Sequence, residues 1–147
     1  KRNYFSIATL CFLMFITSNA SGLMAFFLKD VNKGLSSLMA LIFIGAGYSK
    51  LTGYAGTQSY MEAMNVPGSL LPLVIALELG GGIALLLGFQ TRLIAGLLAG
   101  FCVVTGFLFH GAGDQMNQIM LMKNIAIAGG LLALVRTGAG APSLDKD

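Results

Sequence analysis

The sequence predicts an all-α fold: a four-helix transmembrane bundle with a short extracytoplasmic interfacial helix and an extra apolar N-terminal segment. Of its 147 residues, 56% are hydrophobic and only 10% are charged, whereas a soluble domain carries about 25% charged residues. Four apolar stretches approach the length of about 20 residues that a helix needs to cross a bilayer. Such stretches span as helices, because a helix satisfies its backbone hydrogen bonds internally.

The predicted spans cover residues 34–51, 69–89, 93–110 and 118–136. The loop after the first span contains a predicted short helix at Thr57–Met64. The helix is terminated by the turn-forming residues Asn65 to Gly68. We therefore divide the chain into an N-terminal apolar extension and amphipathic lead-in (1–33), a four-helix membrane domain (34–136) and a Gly/Pro-rich tail (137–147).

Lysine and arginine positions predict the orientation of the four spans. If the first span starts inside, the flanking basic residues fall on the cytoplasmic side except for Lys50. The positive-inside rule then places both ends of the four-helix unit, and the tail, in the cytoplasm of a bacterial inner membrane. The short helix at Thr57–Met64 would lie on the outer face.

The N-terminal residues do not fit this orientation. Lys1-Arg2, an apolar run and Ser18-Asn19-Ala20 have the order of a signal peptide with a small-residue cleavage site. Cleavage would invert the orientation, and a fifth span would put Lys1 and Arg2 on the wrong side. The preferred interpretation of residues 1–23 is an upstream extension or a peripheral apolar helix, with an extra span and a cleaved signal as alternatives.

Two opposite charges lie inside predicted spans. Glu78 lies roughly 15 Å and Lys123 roughly 8 Å from the outer ends of their helices, at 1.5 Å per residue. A charge at such depth costs about 2.5–3.5 kcal/mol on insertion scales, so it usually faces a partner or a cavity. We expect Glu78 and Lys123 to approach each other, either as a structural ion pair or as groups that handle a ligand or a proton.

Other polar groups share the outer half of the bundle. Together they form the predicted ligand-binding cluster, which comprises Tyr48, Lys50, Glu78, His110, Lys123 and Asn124. For Lys50, snorkelling to the headgroups is the alternative. His110 could equally lie at headgroup level, and Asn124 could bond a neighbouring helix. The glycines of the spans are expected mainly to allow close helix packing.

Composition also narrows the chemistry. The two cysteines, Cys11 and Cys102, are far apart and form no C-x-x-C motif. We therefore interpret both as small buried hydrophobic residues. A single histidine excludes a bis-histidine haem within one subunit, and we predict neither a metal site nor a covalently bound cofactor. The sequence has no patch of basic residues interleaved with aromatic residues, so we predict no nucleic acid partner.

The ordered motifs resemble the DoxX family of small bacterial membrane proteins over about residues 34–146. The resemblance rests on Phe43 to Leu51 at the end of the first span, Tyr60 to Pro67 in the loop, Glu78 to Gly82 with Leu87 to Arg92 in and after the second span, His110 with Lys123 to Gly130, and the tail Gly138 to Asp145. It implies a four-helix inner-membrane protein. The family name comes from a subunit of a thiosulfate:quinone oxidoreductase, and other members are linked to thiol and oxidative-stress complexes.

Three functions remain open at this point. The resemblance favours a quinone-interacting or partner-docking subunit of a membrane oxidoreductase system, with a bound quinone, a soluble or membrane redox partner, or both, as electron carrier. A non-catalytic scaffold that docks soluble redox enzymes is the first alternative. A small proton-coupled transporter is the second, and four helices would then require a homodimer. Whether the chain is itself an enzyme stays open.

Overall fold

The computed structural model describes residues 4–111, 113–140 and 142–145, with side chains in the first helix described at residues 22 and 24 and from Leu28 onward. Its helices are α1 (Tyr4–Thr52), α2 (Tyr54–Ala63), α3 (Leu71–Leu87), α4 (Thr91–His110) and α5 (Gln115–Thr137), and a short 3-10 turn at Gly68–Leu70 leads into α3. The described residues contain no strand. The all-α prediction is therefore confirmed.

Four helical stretches of the described chain are long and apolar enough to cross a membrane: Leu28–Thr52, Gly68–Leu87, Thr91–His110 and Gln115–Thr137. They coincide with the four predicted spans, although the first begins at Leu28 rather than at residue 34. The short helix of the following loop is also present, as α2. Which end faces the cytoplasm stays a prediction.

The first helix continues through the N-terminal segment. With 49 residues, α1 is roughly 74 Å long at 1.5 Å per residue, more than twice the hydrocarbon thickness of about 30 Å. The segment and the first span thus share one helix. The side chains of residues 1–21 lie outside the described part of the chain, so the three interpretations of residues 1–23 stay predictions.

The helices pack as two antiparallel pairs, α1 with α3 and α4 with α5, and the two pairs meet through α3–α4 and α1–α5 contacts. A continuous apolar core fills the space between them, from Ala40 and Phe43 through Leu98 to Leu131 and Leu134. A smaller cluster of Met61, Leu71 and Ile75 lies beneath α2. We call the end of the bundle that carries α2 the α2 end and the opposite one the tail end.

Two glycines allow α1 and α3 to approach closely. A Cβ atom at Gly82 would lie 2.8 Å from Ile44 Cγ1 and 3.0 Å from the Ile44 backbone nitrogen. One at Gly47 would lie 2.7 Å from Leu79 Cγ. Small residues bring helix backbones together in lipid, and the predicted packing role is confirmed at these two positions. Gly80, by contrast, faces open space.

The tail end is closed by hydrogen bonds that satisfy the last carbonyls of α3, which have no partner within the helix. Lys33 Nζ donates to the Leu86 carbonyl at 2.9 Å, and the buried Ser36 hydroxyl donates to that of Leu85 at 2.7 Å. The Leu87 carbonyl accepts from the Leu144 backbone at 3.2 Å. The tail therefore returns to the bundle after α5.

Asp145 completes this closure by capping α4. The residue before α4, Gln90, has a left-handed backbone (φ 45°), and its own side chain makes no capping bond. Instead, the Gln90 and Thr91 backbone amides donate to Asp145 Oδ1 and Oδ2 at 2.6 and 2.9 Å. A carboxylate at a helix N-terminus satisfies free amides and complements the helix dipole.

Candidate functional site

A buried ion pair joins α1 to α3 near the α2 end. Lys50 Nζ lies 2.9 Å from Glu78 Oε2 and donates to Oε1 at 3.0 Å. The Glu78 side chain is 6% exposed and that of Lys50 is 28% exposed. The carboxylate is therefore enclosed, while the lysine stem leads from the helix end down to it.

The expected pairing of Glu78 with Lys123 is wrong. Lys123 is exposed, and its Nζ lies 3.7 Å from Met120 Sδ on its own helix. Lys50 lies about one turn beyond Gly47, which packs closely against Leu79 and Glu78 of α3, so its long side chain reaches the Glu78 carboxylate. The cost of burying Glu78 is therefore relieved by Lys50, another member of the predicted polar cluster, for which snorkelling to the headgroups was the alternative.

The ion pair forms part of the wall of a cavity of about 300 Å³ between the two helix pairs. Four aromatic residues contribute to its lining: Phe43, Tyr60, Phe101 and Phe109. Its polar groups are Lys50, Thr57, Tyr60, Glu78, Thr105, His110 and Asn124. Mostly apolar walls with a few convergent polar groups are typical of small-molecule sites.

Helix α2 covers the cavity at its end of the bundle. Thr57, Tyr60 and Met61 line the cavity from α2. The Tyr60 and Phe109 rings stack, with centroids 5.6 Å apart and planes inclined by 21°, which ties α2 to α4. Stacked aromatic pairs of this kind are worth about 0.5–1.5 kcal/mol beyond their buried area.

The structure brings together Lys50, Glu78, His110 and Asn124 of the predicted cluster around this cavity. Tyr48 is not among the lining residues and is 63% exposed. Ala46 and Lys50 line the cavity, and Tyr48 is two residues from each of them. Because a helix turns by about 100° per residue, Tyr48 lies about 200° around the helix from both and faces outward. Lys123 is also absent from the lining, because its side chain lies exposed on the outer surface of the bundle.

Comparisons with known proteins agree with this architecture. Residues 37–111 match the family model of DoxX. The inner membrane protein YqjF of Escherichia coli (strain K12) is 57% identical over 110 residues, which are 74% of this chain and 85% of YqjF. This chain belongs to the DoxX family. The inner membrane protein YphA of the same strain is 38% identical over 116 residues, 74% of this chain and 83% of YphA.

The chain is thus a DoxX-family inner membrane protein. No solved structure matches it significantly. The DoxX match at 37–111 includes Lys50, Glu78 and His110 of the cavity, whereas Asn124 lies beyond it.

Sequence reasoning missed several lining residues of this cavity. Cys102, Thr105 and Phe109 line it from α4, at the three- and four-residue spacing that places side chains on one helix face. That spacing is visible in the sequence, but several faces of an apolar helix look alike. Cys102 is a free, buried thiol, in agreement with its interpretation as a small buried residue.

Proposed function

We propose that this protein binds a quinone head group in the cavity, as a quinone-interacting subunit of a membrane oxidoreductase system. The observation that carries the proposal is the Lys50–Glu78 ion pair in the wall of an aromatic-lined cavity within the bundle. Intramembrane charges that face a cavity are functional candidates by default.

The size and lining of the cavity suit this class of ligand. A volume of about 300 Å³ lies at the lower end of the range for small-molecule sites, about 300–1,000 Å³, and suits a single-ring head group. Phe43 and Phe101 offer the ring apolar surfaces. A hydrophobic tail on the ligand would remain among the apolar side chains and lipid.

The polar groups of the cavity can hold both ends of such a ring. A quinone carbonyl accepts hydrogen bonds, and the Lys50 ammonium and the Asn124 amide are donors. Glu78 accepts from Lys50 and can also accept from a ligand hydroxyl, because an ionised carboxylate has about four acceptor sites. Charge-assisted bonds of this kind are about twice as strong as neutral ones.

Labelling with a photoreactive quinone tests the proposal directly. Purified protein would be illuminated with an azidoquinone, and mass spectrometry would locate the modified residues. We expect adducts on the cavity faces of α2 and α4, for example at Tyr60 or Phe109, that an excess of unmodified quinone prevents. Matched control positions are Leu97 and Phe107, which α4 exposes on its outer surface.

Labelling confined to these outward residues, or labelling that excess quinone does not prevent, would contradict the proposal. The chain would then fit a scaffold that docks redox enzymes without binding the quinone itself.

A further inference from the structure

The only histidine of the sequence, His110, is held by a short polar chain at the α2 end of the bundle. His110 lines the cavity, and its Nδ1 lies 3.1 Å from Asn117 Oδ1 in the first turn of α5. The amide nitrogen of Asn117 in turn donates to Asp114 Oδ1 at 3.1 Å. The three side chains thus run in the order carboxylate, amide, imidazole.

This order fixes the direction of each hydrogen bond. An ionised carboxylate only accepts, so the Asn117 amide must turn its nitrogen toward Asp114 and its oxygen toward His110. That oxygen also only accepts, and His110 Nδ1 must therefore carry the proton. In a neutral imidazole the other nitrogen, Nε2, is then a hydrogen-bond acceptor.

The local backbone keeps the chain of bonds in place. Asp114 is the N-cap of α5 and accepts from the Asn117 backbone amide at 3.1 Å with the same carboxylate. Gly113 leaves room for the Asn117 amide, since a Cβ at position 113 would lie 2.5 Å from Asn117 Nδ2. Among the described residues no group bonds His110 Nε2, so Nε2 is the ring nitrogen left for a ligand.

We propose that Asp114 and Asn117 are positioning residues that hold His110 in its Nδ1–H form, and that the cavity prefers a head group bearing a hydroxyl donor, the quinol rather than the quinone. The proposal rests on the proposed function for its ligand. Nε2 accepts a hydrogen bond from the ligand hydroxyl, and the proton stays on the hydroxyl oxygen.

Other cavity groups favour the same form of the ligand. The Thr105 hydroxyl donates to the Phe101 carbonyl at 2.7 Å, which leaves its lone pairs for a ligand. Lys50 directs its ammonium at Glu78, and the carboxylate retains acceptor sites. A ring that bears two hydroxyl groups can therefore donate to His110 Nε2, to the Thr105 hydroxyl or to Glu78.

The histidine tautomer can be measured without any ligand. Because the sequence has one histidine, [15N]histidine labelling gives one imidazole signal set, recorded at pH about 9, where an unperturbed imidazole is neutral. We expect the Nδ1–H pattern in the wild type and a shift toward the Nε2–H pattern in Asn117→Leu and in Gly113→Ala. Gln118→Leu, which removes an exposed amide from the adjacent position, should leave the wild-type pattern.

An Nε2–H pattern in the wild type, or no change in Asn117→Leu while Asn117→Leu still folds, would overturn the positioning role. Asp114→Ser keeps an N-cap residue for α5 and removes the carboxylate. It should loosen the tautomer preference without unfolding the helix, and an unchanged preference would contradict the positioning role of the Asp114 carboxylate.

The ligand preference is tested with a short-chain hydroquinone and its dimethyl ether, which has the same ring without donors. We expect the wild type to bind the hydroquinone about tenfold more tightly, a difference of about 1.4 kcal/mol that one net hydrogen bond can supply. Asn117→Leu should reduce this ratio, and Gln118→Leu should not.

The outcomes separate the two proposals. Equal affinity for the hydroquinone and its ether in the wild type would overturn the quinol preference and leave the proposed function standing. If neither these ligands nor a quinone binds, the proposed function fails and the quinol preference fails with it, while the tautomer spectrum still decides the role of Asp114 and Asn117.

Discussion

Lys50 on α1 and Glu78 on α3 form an ion pair in which the ammonium nitrogen lies 2.9 Å from one carboxylate oxygen and 3.0 Å from the other. The pair closes one side of the cavity and ties the two helices together at the α2 end. The opposite end of the same helix pair is tied by Lys33 and Ser36, which bond the last carbonyls of α3. We therefore expect that loss of the ion pair, or of the hydrogen bonds at the opposite end, destabilises the whole α1–α3 interface.

Breaking the ion pair should destabilise the bundle. Lys50→Met leaves Glu78 buried without its partner, and loss of one partner of a buried pair costs up to about 3–5 kcal/mol. The partial exposure of Lys50 places the expected value toward the lower bound. Unfolding of detergent-solubilised protein, followed by circular dichroism, measures it.

A double-mutant cycle with Glu78→Met identifies the pair itself. The double variant Lys50→Met/Glu78→Met should be less destabilised than the sum of the two single changes, because no charge is then left unpaired. Strict additivity would show that the two side chains act independently, against the geometry of the pair.

Two glycines of α3 make a matched test of helix packing. Gly82→Ala should destabilise the protein by about 1–3 kcal/mol, since the new methyl group overlaps Ile44. Gly80→Ala, two residues earlier and facing open space, should be neutral or stabilise by up to about 1 kcal/mol through helix propensity. The same effect at both positions in unfolding experiments would contradict the close α1–α3 approach.

The tail should contribute to stability through Asp145. Asp145→Ala removes the cap of α4, for which a loss of about 1 kcal/mol is expected. Asp30→Ala, an exposed aspartate on α1, is the control and should change little. Comparable unfolding transitions for Asp145→Ala and the wild type would show that the capping bonds are not formed in solution.

The cap should also depend on pH. Desolvation raises the pKa of the Asp145 carboxyl, but the hydrogen bonds from Thr91 and Gln90 and the charge of Arg92 together hold the pKa below its ordinary value. A lowered folded-state pKa means that the stabilisation is present above the unfolded-state pKa of about 3.9 and is lost as pH falls through the folded-state value. The stability difference between wild type and Asp145→Ala should therefore shrink in acid, and a difference that grows would contradict it.

The fold followed from the sequence because span length and hydropathy are local properties. The four spans and α2 could be read from apolar runs and from the Asn65 to Gly68 stop. The return of the tail could not, because the cap of α4 comes from a residue far along the chain. One signal was available: Gln90-Thr91-Arg92 offers no local Ser, Asp or Asn before the helix, which leaves its first amides in need of a distant acceptor.

The site was predicted only in part because depth is readable from sequence and rotation about the helix axis is not. Glu78, His110 and Asn124 were placed in the correct half of the bundle and line the cavity. Lys123 was placed there too, but its side chain points away. Lys50, read as equally suited to snorkelling at the boundary, reaches inward to Glu78.

The central claim, that the cavity beside Lys50 and Glu78 binds a quinone head group, is tested most directly by comparing two lysines. Affinity for a short-chain quinone analogue would be measured in detergent for the wild type, Lys50→Met and Lys123→Met. We predict that Lys50→Met weakens binding about tenfold or more, the worth of a hydrogen bond from a charged group. Lys123→Met, a matched change outside the cavity, should stay within roughly twofold of the wild type. Equal affinity for all three proteins, or a loss in Lys123→Met alone, would contradict the claim.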